Sequence, residues 1–325
     1  MVAGHWQRAQ RNICENLSGL SRRPRLSLWR KVFHASVQLG EIMTTLAAYR
    51  TLFRLPVALF VTCSAVTGYI VTSPVVTADM LFTAAGVLLL ACGASALNQV
   101  QERNIDALME RTRYRPLPAH LLTPRSALIA SFTAMLAGLV LLGRSGPLPF
   151  VFGVLAVAWY NGLYTWLKRR TAFAAVYGAP VGMTAPAIGW AAGGGSITDT
   201  RLAVVAMLFF LWQVPHFWLI LLRSADDYER AGLPTLTNVF PRELLSGIIV
   251  LWTAAAAAAS LLLPLFGMVR TPLLYGLLLL SALLSSLVTG RLLRRPSLPR
   301  AAFPLINVFI AAVMILISAD ALIIR

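Results

Sequence analysis

With 325 residues, 58% of them hydrophobic and only 12% charged, the chain has more apolar surface than a water-soluble domain can cover, and a bilayer is the solvent that accommodates it. The lack of alternating apolar and polar strands excludes a membrane barrel, so the spans are expected to be helices that pair their own amides. The formal charge of +16 reads as a topology signal and an attraction to anionic membrane lipids, with no nucleic acid expected as a partner.

Residues 1–50 form a basic arm, expected to be partly disordered or interfacial; within it "LWRKVFHASVQLGEIMTTLAAY" is suited to lie on lipid head groups. No cleavable signal peptide is expected, because no apolar stretch precedes the first span. Nine windows follow at 52–72, 78–100, 126–143, 147–166, 172–193, 201–222, 244–266, 272–290 and 302–324. Each has about the 20 apolar residues that a hydrocarbon core requires. Residues 51–325 are therefore expected to be one all-α, polytopic membrane domain of about nine helices. Of the 28 lysines and arginines, only Arg144, Arg201, Arg270 and Arg325 fall in odd-numbered connections or at the C-terminus. Positive charge stays on the cytoplasmic side. That puts the N-terminus and the even connections in the cytoplasm, with the chain in the cell's inner (cytoplasmic) membrane. Cys14, Cys63 and Cys92 lack CxxC spacing and read as packing residues, without a zinc site or a disulfide framework.

The second connection opens with "NQVQERNIDALMERTRYRP", residues 98–116. Glu102, Asp106 and Glu110 there, with Asp226, Asp227 and Glu229 in the sixth connection, are half of the twelve acidic residues. Asn98, Glu102 and Asp106 are spaced i, i+4, i+8, a drift of only about 40° per step on a helix, so their oxygens line one face; Glu110 extends the stripe. Hard oxygen donors in this pattern suit Mg²⁺, which is usually held by a few carboxylates together with substrate phosphates. Arg103, Arg111, Arg113 and Arg115 add forked donors that match phosphate oxygens. Surface salt bridges on a solvated loop are the plainer account of the same residues. "RSADDYERAGLP", residues 223–234, follows the sixth span at the same membrane face. Two acidic clusters are thus expected to converge on one pocket, where Mg²⁺ and arginines would ionise an allylic prenyl diphosphate. The resulting cation needs a dry aromatic cavity.

The stretch at 98–116 resembles the first motif, N-x3-[DE]-x3-D, of the intramembrane prenyltransferase superfamily that includes ubiquinone and menaquinone prenyltransferases. Its continuation through Met109, Arg111, Thr112, Arg115 and Pro116 is similar to the protoheme IX farnesyltransferase branch. "YNGLYTWLKRRT" at 160–171, "GAPVGMTAPAIGWAA" at 178–192 and "WQVPHFWLILLRSADDYERAGLPTL" at 212–236 agree with it. Quinone-type members carry D-x3-D in the second acidic connection. Here Arg223 stands at the first of those positions and Asp227 at the second, as in the haem branch; Thr235 departs from that branch's methionine or valine.

The resemblance implies transfer of farnesyl from farnesyl diphosphate to a vinyl carbon of protoheme IX, with water added, giving haem O. Partners would include oxidase assembly or haem A synthase. It implies Asn98, Glu102 and Asp106 as Mg²⁺ ligands, with Asp227 and Asp226 in the second motif. Arg103, Arg111, Arg115, Lys168 and Arg169 would bind diphosphate, although anchoring at the inner face equally explains Lys168, Arg169 and Arg170. His216, the only histidine within an expected span, is a buried hydrogen-bonding residue, a haem contact or a general base. Pro215 before it would loosen the helix. Tyr160 and Tyr164 share a helical face, as interface anchors, as stabilisers of a cation or as hydrogen-bond donors to the diphosphate. Trp190, Phe217 and Trp218 are packing residues or walls of a prenyl channel. Pro180 and Pro186, with Gly178, Gly182 and Gly189, suggest a kinked, closely packed fifth helix. Asp320 is expected to snorkel outward. Three alternatives stand beside this assignment: a quinone-precursor or other aromatic prenyltransferase, a membrane transporter, and a non-catalytic haem-handling protein.

Overall fold

The computed structural model describes residues 43–293 and 299–324. Residues 1–42 of the basic arm, with Cys14, and Arg294, Arg295 and Arg325 lie outside the described residues. The chain divides into units at 1–49 and 50–325; residues 43–49 of the first are helical, and the second holds everything below.

All regular structure among the described residues is helical. In order the helices are α1 (Leu55–Thr72), α2 (Ala78–Asp106), α3 (Pro124–Arg144), α4 (Pro147–Val157), α5 (Ala174–Gly178), α6 (Pro180–Ala192), α7 (Thr200–Arg223), α8 (Ala225–Arg230), α9 (Arg242–Ser260), α10 (Leu262–Leu265), α11 (Pro272–Leu293) and α12 (Pro299–Ile323). Their starts follow local chemistry. Thr77 and Thr123 cap α2 and α3 by accepting the N–H of Met80 and Ser126 at 3.3 and 3.1 Å. Prolines open α3, α4, α6, α11 and α12, where the missing N–H costs nothing.

Among the described residues eight stretches are long and apolar enough to cross a bilayer: α1, α2, α3, α4 with its extension to Leu167, α7, Arg242–Leu265, α11 and α12. The fifth window, 172–193, differs from expectation. It is split at Ala179 into α5 and α6 because Pro180 cannot continue the amide ladder. With 13 residues α6 reaches about 20 Å, short of the roughly 30 Å core. It is held instead by close packing. The Gly68 and Gly189 α-carbons sit against the carbonyls of Pro186 and Ala65, so a β-carbon at either position would overlap backbone where α1 crosses α6. Helix α2 packs along α3, and α7, α9, α11 and α12 enclose the larger core. Pro215 is accommodated inside an unbroken α7.

The second, fourth and sixth connections meet at one end of this bundle, where Asp227 reaches the amides of Glu110 and Arg111 and Lys168 reaches Glu102. At the other end Asp320, 2% exposed, accepts the N–H of Arg270 at 2.9 Å and of Thr271 at 2.8 Å. It is therefore a cap for the start of α11 rather than a snorkelling charge. Replacing it by Ala would orphan two amides, and an unmade buried hydrogen bond costs about 1–3 kcal/mol. A lower thermal midpoint of Asp320→Ala in detergent is expected.

Candidate active site

The end of α2 carries Asn98, Glu102 and Asp106 on one face, 2%, 3% and 2% exposed. Each faces one cation. Arg54 Nη2 is 3.4 Å from Asn98 Oδ1, Lys168 Nζ is 3.1 Å from both Glu102 oxygens, and Arg115 Nη1 is 2.7 Å from Asp106 Oδ2. The Asn98 amide nitrogen donates to Thr165 Oγ1 at 3.2 Å, which turns its oxygen toward Arg54.

The wall opposite α2 comes from a widened turn. Residues 158–164 after α4 form a π-helical segment, a feature common at functional sites. It is tied to α2 by Asn161, which donates to the Ala94 carbonyl at 3.0 Å and to Gln101 Oε1 at 3.2 Å. Gln101 returns a bond to the Asn161 carbonyl at 3.0 Å. Tyr160 and Tyr164 stack at 5.9 Å, and Tyr164 stacks on Phe217 of α7 at 5.5 Å. Gly178 lies under the Tyr164 ring, where a side chain would not fit.

One cavity is lined by Arg54, Asn98, Glu102, Asp106, Arg111, Arg115, Tyr160, Tyr164 and Lys168, with Tyr228 and an apolar flank of Phe217, Ile220 and Leu221. Its four cationic side chains outnumber its two carboxylates. The field favours a polyanion over a bare cation.

Other expected site residues lie elsewhere. Arg103 is one position past Glu102, about 100° around α2, and is exposed. Arg169 is exposed and donates to the Gln101 carbonyl at 2.6 Å. Asp226 is exposed. Glu110 does not continue the stripe, because α2 ends at Asp106; it is exposed and 3.6 Å from Arg230. Trp190 and Trp218 are core residues, Trp190 donating to the Ser196 carbonyl. His216 is deeper, beside Trp212 at 4.8 Å and Phe217 at 5.7 Å.

Asp227 joins the two acidic connections but is not among the residues that line the cavity. Its carboxylate accepts the backbone N–H of Glu110 at 2.9 Å and of Arg111 at 3.2 Å, and Arg230 Nη2 at 2.6 Å. The aspartate thus clamps the loop that presents Arg111 and Arg115. Burial pushes its carboxyl up, but the two amides and Arg230 outweigh burial and hold it below its ordinary value of 3.8. The clamp is therefore present above the unfolded value and lost as pH falls through the lower folded one. Asp227→Ala is expected to speed amide exchange at Glu110 and Arg111 by about tenfold or more, given the 1–3 kcal/mol scale of an orphaned amide; exchange mass spectrometry of residues 107–116 reads it.

Arg54 and Tyr228 were not expected in the site. Arg54 looks like a topology charge in sequence, yet its left-handed backbone (φ 46°) before α1 accompanies a guanidinium that reaches Asn98. Tyr228 follows the clamp aspartate and lies under Lys168, whose Nζ is 5.6 Å from the ring centre.

A model of the UbiA prenyltransferase family matches residues 56–313. The chain is 47% identical over 217 residues to a protoheme IX farnesyltransferase of Geobacter sulfurreducens, covering 67% of this chain and 80% of the relative. It is 37% identical over 279 residues to one of Oleidesulfovibrio alaskensis, covering 86% and 98%. Its fold is similar to a UbiA homologue from Archaeoglobus fulgidus bound to GPP and Mg²⁺, with a TM-score of 0.63 at 16% identity over 83% of this chain and 99% of that one.

Proposed function

The chain belongs to the UbiA prenyltransferase family, and from that premise we propose that it transfers a farnesyl group from farnesyl diphosphate to a vinyl carbon of protoheme IX, with addition of water, making haem O. Relatives named protoheme IX farnesyltransferase across most of the chain support the substrate pair. The observation that carries the chemistry is the cavity in which three buried oxygen donors of α2 each face a cation.

That donor set fits Mg²⁺, since Asn98, Glu102 and Asp106 offer hard oxygens on one helix face beside a field suited to phosphates; the archaeal homologue of like fold is bound to GPP and Mg²⁺. When bound, the ion neutralises charge on the departing diphosphate. Arg54, Arg111, Arg115 and Lys168 are assigned to diphosphate oxygens, and Asp227 to holding the loop of Arg111 and Arg115. Arg103 and Arg169 are left out of this set because they do not line the cavity. As the C1–O bond breaks, its electron pair leaves with the diphosphate, and Tyr160, Tyr164 and Phe217 offer ring faces to the allylic cation. The terminal vinyl carbon bonds to C1. Water adds to the other vinyl carbon as hydroxyl, and its proton leaves with the diphosphate. His216, beyond Phe217, is assigned to the haem.

The arginine distribution supports an N-terminus and cavity mouth on the cytoplasmic side of the inner membrane. Oxidase assembly, including haem A synthase, is the proposed destination of the product. Detergent-solubilised protein given haem b, farnesyl diphosphate and Mg²⁺ is expected to yield a haem heavier by one hydroxyfarnesyl unit in mass spectrometry. Prenylation of a hydroxybenzoate with no modified haem would instead assign the acceptor to the quinone type.

A further inference from the structure

His216 has a hydrogen-bond partner that fixes its tautomer. Its Nδ1 lies 2.8 Å from Asn307 Oδ1 on α12. The Asn307 amide cannot turn over without cost, because its Nδ2 donates to the Phe303 carbonyl at 2.7 Å and a flip would set two oxygens against each other. Oδ1 only accepts, so Nδ1 carries the hydrogen and, in the neutral ring, Nε2 keeps its lone pair. Among the described residues Nε2 has no hydrogen-bond partner, while Trp212 and Phe303 flank the ring at 4.8 and 5.0 Å. A bare imidazole lone pair within a membrane span points to a ligand. A histidine whose Nδ1–H is held by an oxygen acceptor is the usual form of a metal-ligating imidazole.

We infer that Asn307 is a positioning residue for the acceptor: it holds His216 as the Nδ1–H tautomer so that Nε2 ligates the haem iron. This rests on protoheme being the substrate proposed above. The geometry suits the reaction, because Phe217 contacts His216 on one side at 5.7 Å and Tyr164 on the other at 5.5 Å. An iron anchored at His216 would leave the porphyrin edge to reach across Phe217 toward the site of prenyl ionisation.

The test is resonance Raman spectroscopy of the iron–histidine stretch in the ferrous haem b complex of the full chain in detergent. His216→Ala is expected to abolish the band. Asn307→Asp, nearly the same size but a stronger acceptor, is expected to raise its frequency. Asn307→Leu is expected to lower it and to weaken haem binding about 10–100-fold, the usual effect of losing a ligand's hydrogen-bond partner. Unaltered binding of Mg²⁺–pyrophosphate by each variant reports an intact fold; if the leucine variant fails that check, the aspartate shift decides alone. Wild-type bands in the Asn307 variants, with the band lost in His216→Ala, would overturn the role of Asn307 and leave His216 as ligand. A wild-type band in His216→Ala would overturn the ligation and Asn307 with it. No haem binding by the wild type would overturn the acceptor assignment itself.

Discussion

Asp106→Asn is expected to lower farnesyl transfer by about 10²–10³-fold, the scale seen when one preorganised charge-stabilising contact is removed from a developing anion. Asp106 is the better of the two carboxylates for this test. Its side chain is buried, its Oδ2 meets Arg115 at 2.7 Å, and its backbone carbonyl accepts Thr112 Oγ1 at 2.9 Å. Asparagine keeps the volume and the Thr112 contact, so the α2 end and the loop beyond it remain folded. It removes the negative charge that is assigned to the proposed ion and that pairs with Arg115. The loss should appear mainly in kcat, because ionisation of the C1–O bond is the step that needs the charge. Raising Mg²⁺ should restore part of the rate in Asp106→Asn, since a weakened ion site responds to concentration. Product formation from haem b and farnesyl diphosphate across a Mg²⁺ series measures both effects. A rate equal to wild type at every concentration would remove Asp106 from the mechanism.

Lys168→Met is expected to damage both stability and activity, and the two can be separated. Lys168 Nζ sits 3.1 Å from both Glu102 oxygens, with side chains only 16% and 4% exposed. Burial works against its charge, but Tyr228 and Glu102 overcome it and hold the ammonium above its ordinary value of 10.5. The charged pair therefore contributes stability fully below 10.5 and loses it only as pH rises through the higher folded value. This makes Lys168 a permanent cation, suited to phosphate and unsuited to general base chemistry near neutrality. Removing it leaves a buried carboxylate without its ion-pair partner, and breaking such a pair costs about 3–5 kcal/mol. Adding Glu102→Gln removes the stranded charge. The double variant should recover most of the thermal stability and none of the activity. Full activity in the stable double variant would show that the pair is only structural.

How much of this was legible in the sequence depends on the range over which each residue acts. The α2 stripe was legible, because Asn98, Glu102 and Asp106 share a face through helical periodicity alone. The convergence of the second and sixth connections was legible from the parity of the spans; in the structure Asp227 reaches the amides of Glu110 and Arg111. What spacing does not encode is the direction of a carboxylate. Asp227 clamps backbone and Asp320 caps a helix start about 50 residues earlier in the chain, and both pairings form only on folding. Arg54 was hidden for the same reason: nothing in "LFRLP" marks the left-handed turn at its start of α1. The fifth span shows a limit of hydropathy, since an apolar window does not report that Pro180 splits it into two short helices. Glu110 shows where periodic reasoning stops, one turn past the end of α2.

In the proposed mechanism the α2 face holds a divalent ion, which in turn holds the diphosphate. Mn²⁺ and pyrophosphate can stand in for Mg²⁺ and the prenyl donor, with phosphorus hyperfine coupling read by pulsed electron paramagnetic resonance. That arrangement should give ³¹P coupling on protein-bound Mn²⁺ in the wild type and lose it in a Glu102→Gln, Asp106→Asn double variant. Protein-bound Mn²⁺ with unchanged ³¹P coupling in that double variant would contradict it.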